Sequence, residues 1–526
     1  MTSAAISEVG GHAGAEPLHE LDPLQWGHLR HIVRLSRQMP GDWSDMGPFD
    51  PTNEGDDAYR YQLAYMAYTL GLVQYHYLPS YRELLRETLA DLIRKMLRHD
   101  VWGYWELTSR GSKVMDPDLE VLVDGWVDPV IRKNVMYSGH LLMMVSLYEM
   151  LYRDGRYFES GSLTFECRPP FRGLGPQDFP YDLGSLAAVI EEQFAASGGV
   201  GCECEPNGIF VYCNQFPMLG LSHLDRVRGT EVAPQLMQDF REAWSRQSNL
   251  FSVDTAADLP VFLMVKQQEV VSEDSEENKE AASVVSWGPF MHVWQKDYVE
   301  SLYPQVLPRV RRETPWGFGV SLEQFHRTHL EYQAHPSADL VDPMMLGVHN
   351  HGMLALLAAE MGDSVTRDGL LAHADAVMSP TWKNGGLFYP RCDELDTERY
   401  VTCVMGNGLL AAARINPRDG IHDLYTNPWG EQELTDQQIT GVAFPDVLVT
   451  TARFDRERRH LRVHLVPGDT PPAHATFMVS GLDSTRPVQL TVNGVTQGAV
   501  EWDRATGDLV VSVPLGAGCE VGIANS

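Results

Sequence analysis

From Asp22 to about Arg414 the sequence alternates between helical segments that are apolar on every face and segments that are apolar along one stripe. A helix without a polar face has to be surrounded by protein, whereas a striped helix covers something and faces water. Residues 57–76 are apolar or aromatic almost all round. After Leu78-Pro79, the run Ser80-Tyr81-Arg82-Glu83 reads as a capping box opening a helix with Leu85, Leu89, Leu92 and Met96 inward. The same order recurs in Ser138 to Tyr152 then Leu183 to Ala196, Asn214 to Leu224 then Val232 to Trp244, Trp287 to Trp294 then Tyr303 to Arg312, and Val348 to Met361 then Val365 to Val377. Thr402 to Ala413 is a sixth buried segment. The N-terminal helix, with Asp22 as cap, Pro23 in its first turn and a stripe of Trp26, Leu29, Ile32, Val33 and Leu35, pairs with it. Six inner and six outer helices predict a mainly α fold, an (α/α)6 barrel over residues 22–426. Loops entering the inner helices would line its cavity, so functional side chains are expected near inner-helix N-termini.

After about Pro428 the apolar period changes to two. Val447-Leu448-Val449, Leu461-Val463-Leu465, Val488-Leu490-Val492 and Leu509-Val511-Val513 alternate as strands do, and Asn493-Gly494 signals a hairpin. Residues 427–526 are expected to form a small antiparallel β-sandwich that supports or lids the barrel. Residues 1–21 are expected to be a flexible N-terminus, and the acidic run from Ser272 to Glu280 a solvated loop.

A formal charge of -30 repels phosphate backbones and anionic membrane surfaces, which argues against nucleic acid as a partner. No window approaches the apolar length of a membrane span, and the stretch Met1 to Glu20 lacks the apolar core of a signal peptide. A soluble, cytoplasmic protein is expected. Seven scattered cysteines, an odd number, point to reduced thiols rather than a disulfide framework.

Two of those thiols, Cys204 and Cys213, bracket a loop that runs into the apolar helix beginning at Asn214. A helix start carries partial positive charge, which favours thiol ionisation, although free cysteines are also common core residues. His140 follows small polar residues at the top of a buried helix, with Tyr137 beside it as a proton partner. Gly41 to Asp50 packs three carboxylates, Asp42, Asp45 and Asp50, among Gly, Pro and aromatics; such loops are mostly turns, but a carboxyl against aromatic walls can be a general acid. Cys202-Glu203-Cys204 has too short a gap for a zinc knuckle, and the imidazoles of His349-Asn350-His351 diverge unless they precede the helix proper. No metal is therefore expected. With no P-loop, dinucleotide fingerprint or nucleophile elbow, no cofactor is expected either.

Val101-Trp102-Gly103-Tyr104-Trp105-Glu106, Asn134-Val135-Met136-Tyr137-Ser138-Gly139-His140-Leu141 and the segment Cys204 to Cys213, in that order, resemble the linalool dehydratase/isomerase family. The similarity continues through Arg226 to Glu231 and Glu360-Met361-Gly362-Asp363, covering roughly Ala58 to Ala413. The resemblance implies a homo-oligomeric (α/α)6 barrel with sites near subunit contacts. It implies removal of water from a tertiary allylic terpene alcohol, and a shift of its hydroxyl, without a cofactor. Cys204 and Cys213 match the family's two active-site cysteines, His140 its histidine and Asp45 its aspartate. The family's nearby tyrosine falls at Asp50 here, a departure that alters the charge of the site.

On this reading Asp45, His140 and Tyr137 are the acids for hydroxyl departure, Cys204 with Glu205 beside it is the base, and Cys213 orients or relays. Trp102, Trp105, Met136, Tyr137, Phe210 and Tyr212 are the expected walls for an allylic cation, and the partner is a small hydrophobic unsaturated alcohol. Two alternatives remain at this point. One is a carbohydrate lyase, hydrolase or epimerase on a helical toroid; the other is a non-catalytic scaffold in which the thiols and His140 only pack.

Overall fold

The computed structural model describes residues 19–525 except 49, 172, 174, 253–258, 273–281, 337–347, 395–397, 484 and 499. The acidic run, from residue 273 on, and the first 18 residues of the N-terminal segment thus lie outside the described residues. After α1 (Pro23–Ser36) the chain passes through five helix pairs: α2 (Tyr59–His76) with α3 (Glu83–Met96), α4 (Val135–Tyr152) with α5 (Leu183–Ala196), α6 (Gln215–Arg228) with α7 (Val232–Gln247), α8 (Ala282–Met291) with α9 (Lys296–Val310), and α10 (Asn350–Glu360) with α11 (Ser364–Val377). A π turn, Met405–Leu409, then leads into α12 (Leu410–Ile415).

Contacts run from α2 to α4, α6, α8, α10 and α12 and back to α2, with the intervening helices and α1 outside them. The even-numbered helices are inside because nothing on them prefers water: every residue of α4 but Tyr152 is buried. Glycine lets two of them touch. A Cβ on Gly220 of α6 would lie 2.9 Å from the Met143 backbone nitrogen of α4.

The inner helices run in the same direction. Near the C-terminal ends of α2, α6 and α10, His76 is bonded to the Gly420 carbonyl at 2.9 Å, His223 to the Leu424 carbonyl at 3.1 Å, and Glu360 accepts the Ile421 N–H at 2.9 Å. All three reach one stretch of chain. At the opposite end, the N–H of Val135 in α4 bonds the Glu203 carbonyl at 3.1 Å, and Asn214, the residue before α6, accepts the Cys202 N–H at 2.8 Å.

The C-terminal part is two antiparallel sheets. One has the order Val447–Asp455, His460–Pro467, Cys519–Asn525, Val488–Val492, Val495–Thr496; the other Gln438–Thr440, His474–Ser480, Leu509–Pro514, Glu501–Trp502. Asn493 and Gly494, at φ 49° and 76°, make the tight hairpin that their sequence announces. The sheets are clipped to the C-terminal end of α2: Ser80 N–H donates to Ala452 O at 2.9 Å, and Ile439 N–H to Ser80 O at 2.8 Å. They act as a base at that end and do not lid the thiol end. Ser80 is thereby used by the sheet and not by the expected capping box, since α3 starts at Glu83 with Arg82 before it. Among the described residues no helix is long and apolar enough to cross a membrane.

Candidate active site

The loop before α2 is folded by its own acid. Asp50 accepts the N–H groups of Thr52, Glu54 and Gly55 at 2.8, 2.6 and 3.1 Å, which turns the chain and delivers Asp56, Asp57 and Arg60 to the mouth of the ring. Asp57 faces away, accepting the Val404 N–H and pairing with Arg391, both at 3.1 Å. Arg60 is completely buried. Its guanidinium donates to the carbonyls of Asn53 and Glu54 at 2.6 Å and lies between the rings of Tyr61 and Tyr104 at 4.4 and 4.1 Å. A cation so placed needs counter-charge, and Asp56 supplies part of it.

The thiol loop is held by Asn214, whose amide donates to the carbonyls of Cys202 and Phe210 at 3.1 and 2.8 Å. Asn207, at φ 84°, closes a tight turn in which Cys204 N–H donates to Gly208 O at 2.8 Å. Cys204 and Cys213 then face each other. Burial pushes the Cys204 thiol well up, its hydrogen bond to Cys213 adds to that, and the Met136 N–H at the start of α4 offsets part of it. For Cys213 the hydrogen bond from Cys204 pulls down, but burial and the Glu205 and Asp56 carboxylates leave it above the usual thiol range. Both sulfurs are therefore protonated near neutral pH. Cys204 is buried behind Cys213, which is half-buried.

Glu205 is the group closest to titrating. Burial pushes its carboxyl up to about 7 against the pull of Arg60, with Asp56 and Glu54 adding to the rise. Its Oε2 is buried and makes no hydrogen bond. Asp56 is exposed, yet burial still dominates and raises its pKa, with His349 and Arg60 opposing.

His140 has its Nδ1 bonded to the Tyr68 hydroxyl at 2.7 Å and its ring centroid 3.9 Å from that of Phe216. Burial, with Arg60 adding, lowers it to about 3, so it is a neutral imidazole and not an acid near neutral pH. Around it stand Tyr61, whose hydroxyl donates to Met136 Sδ at 3.3 Å, and Tyr65, whose hydroxyl meets that of Tyr212.

The structure thus brings together Cys204, Cys213, Glu205, His140, Met136 and Tyr212. It does not bring Asp45 to them. Asp45 is held by Arg34 at 2.9 Å and Lys383 at 2.8 Å, and its backbone turns at φ 65°. Asp42 caps Ser44 and Asp50 its own loop, so all three acids serve turns or ion pairs. The carboxyls acting on the thiols are Glu205 and Asp56. Tyr137 is also displaced from its expected role, because its hydroxyl donates to Met96 O at 2.7 Å toward α3. Trp102 donates to Leu97 O at 3.0 Å and packs edge-on against Phe165; Trp105 packs on Trp126, and Phe210 stacks on Phe262 at 4.7 Å. The two tryptophans belong to the core, and Phe210 packs half-buried against it.

Asp56, Arg60, Tyr61, Tyr65 and His349 were not anticipated. A signal existed for Arg60, a charge inside an otherwise apolar helix, and a weaker one for His349. That histidine is the residue before α10 and faces Asp56, while His351 turns away to the Leu370 carbonyl at 3.0 Å. Among the described residues, three metal-binding side chains converge only at the other end of the ring, at His292, Glu300 and Asp419.

Buried carboxyls with raised pKa values, paired thiols and a buried cation make up a site suited to acid–base catalysis. The family model for linalool dehydratase/isomerase matches residues 60–395, and the chain belongs to that family. Membership makes it an enzyme of the lyase/isomerase kind at family level. Among solved structures, it is similar to a GH127 beta-L-arabinofuranosidase from Geobacillus stearothermophilus T6. The identity is 11%, the match covers 97% of this chain and 81% of that one, and the TM-score is 0.29. A likeness at that level carries no argument about activity.

Proposed function

We propose that the helices form an (α/α)6 barrel whose thiol end dehydrates and isomerises an unsaturated, terpenoid-like allylic alcohol without a cofactor. The observation that carries this reading is Glu205: a carboxyl at about 7 with an unpartnered oxygen, set between a thiol pair and a buried guanidinium. Hydroxide leaves poorly, so departure needs a proton. Protonated Glu205 gives that proton to the hydroxyl oxygen as the C–O bond breaks, leaving water, an allylic cation and the Glu205 carboxylate. Asp56 then takes a proton from the adjacent carbon, the C–H electron pair becomes the new double bond, and a diene leaves. Solvent carries the proton from Asp56 back to Glu205. For the isomerisation, the released water adds to the other end of the allylic cation and returns its proton to Glu205.

The faces of Tyr61, Tyr65 and Tyr212 and the soft atoms of Met136 and Cys213 suit a cation that must not be trapped. Cys213 faces the substrate, and Cys204 behind it holds the sulfur in place. His140, neutral and fixed by Tyr68, orients the tyrosines. The proposal includes a homo-oligomer, supported by the exposed apolar run Val121-Leu122-Val123.

The test is incubation of the protein with tertiary allylic terpene alcohols and, in parallel, unsaturated sugars, with products identified by mass spectrometry. Diene and the transposed alcohol are expected from the first set. Turnover of the sugars alone would sink the proposal.

A further inference from the structure

The far end of the ring holds a polar cluster that the thiol site does not use. His292, just past α8, has a side chain that is 0% exposed, and its Nδ1 meets Glu360 Oε1 at 3.0 Å. That carboxylate is fixed on every side: Oε1 also accepts the His422 N–H at 2.9 Å, and Oε2 accepts from Ile421 N–H at 2.9 Å and Asn416 Nδ2 at 2.7 Å. A carboxylate so committed fixes the imidazole through Nδ1 and aims Nε2 away from it, the second-sphere arrangement that orients histidine ligands.

Nε2 is buried and makes no hydrogen bond. It faces Glu300 Oε1 at 3.7 Å and Asp419 Oδ1 at 3.9 Å. Three electron-pair donors therefore converge, all within 4.8 Å of one another. Lys296, with Nζ 2.8 Å from Asp419 Oδ1, and Arg418, 3.5 Å from Oδ2, answer part of the charge, but Nε2 is left without a partner.

The geometry points to a divalent transition-metal site, which we assign to His292, Glu300 and Asp419. One imidazole and two carboxylates suit zinc and its first-row neighbours better than magnesium or calcium, which take oxygen alone. In a tetrahedral zinc site with ligand bonds near 2.0–2.1 Å, donor atoms sit about 3.4 Å apart. The 3.7 and 3.9 Å separations need only small side-chain movements to reach that spacing. Glu300, 43% exposed, gives the ion its entry, and water completes the coordination. The ion would tie the end of α8, the face of α9 and the turn before the short helix Gly420–Thr426 into one unit. Its role is to hold the ring closed, far from the thiols.

The experiment uses the full chain, stripped with chelator, titrated with zinc by calorimetry and with cobalt by visible absorption. A Cys204→Ala/Cys213→Ala variant runs alongside to remove the thiol pair as a competing ligand. One equivalent of zinc is expected in both proteins, with a rise in Tm and a cobalt spectrum typical of nitrogen and oxygen ligands. His292→Gln should abolish binding. Glu300→Gln, at a half-open surface position where folding is not at stake, should weaken it at least tenfold. Absence of saturable binding in the parent, binding that disappears with the two cysteines, or parental affinity in Glu300→Gln would each overturn the assignment.

Discussion

Cys204 and Cys213 face each other across the start of the helix at Gln215, and Cys204 is the more deeply buried of the two. Both thiols keep their protons near neutral pH, and the deeper one loses more by ionising. That difference divides the roles, since Cys213 is the half-buried residue of the pair. Cys213→Ala removes a soft contact with the cation and should therefore lower kcat/KM by about tenfold, the scale of one such contact. Cys204→Ser, which keeps a hydrogen-bonding group behind Cys213, should lose less. Steady-state kinetics on both variants, with circular dichroism to confirm folding, check this. Equal and small losses would mean that the thiols only pack.

Asp56 and Asp45 separate the structural assignment from the sequence-based one. Asp56→Asn removes the proposed base and should cost about 10²- to 10⁴-fold in kcat. Asp45→Asn breaks a partly exposed ion pair with Arg34 and Lys383, which is worth no more than about 1 kcal/mol, and should leave kcat within about twofold. The reverse ranking in a turnover assay would return the role to Asp45.

Gly220 tests the close contact between α4 and α6. Gly220→Ala sets a Cβ at 2.9 Å from the Met143 nitrogen, where backbone and not a flexible side chain has to yield. Overpacking of this kind costs about 1–3 kcal/mol, so urea unfolding should shift by that amount. An unchanged midpoint would show that the helices part easily.

The helical pairs were legible because burial on all sides leaves a plain trace: α4 reads as apolar for most of its length. Its start was misplaced, at Ser138 instead of Val135, because Asn134 to Gly139 looks like a polar lead-in. The small sheets inside the helical part, such as Gly208–Phe210 on Pro260–Met264, are three to five residues long and too short to show a period. Cys204, Cys213, Glu205, His140, Met136 and Tyr212, singled out from local motif and neighbourhood, lie together in the structure. Asp56 was not, since its meaning depends on Arg60 and on a loop folded by Asp50, contacts that spacing does not reveal. The tryptophans of residues 102–105 were over-read: large rings fill cores as readily as they line cavities.

Arg60 should set the pH range of the enzyme. Its guanidinium holds the Glu205 carboxyl down against burial, so Arg60→Met should move the alkaline limb of activity to higher pH. The same shift has a stability consequence. A carboxyl raised from 4.5 to about 7 binds its proton more tightly in the folded chain, so stability is full below about 4.5 and falls as pH rises through 7. Glu205→Gln should remove that decline, seen as a parent-to-variant difference in Tm that grows between pH 5 and 8.

The claim that Glu205 is the acid is tested most directly by the pH dependence of kcat/KM on an allylic alcohol. Because the protonated form acts, activity should fall tenfold per pH unit above about 7. Glu205→Gln should lower kcat/KM by about 10²-fold or more and abolish that limb. A variant that keeps both the parental rate and the limb near 7 would contradict the account.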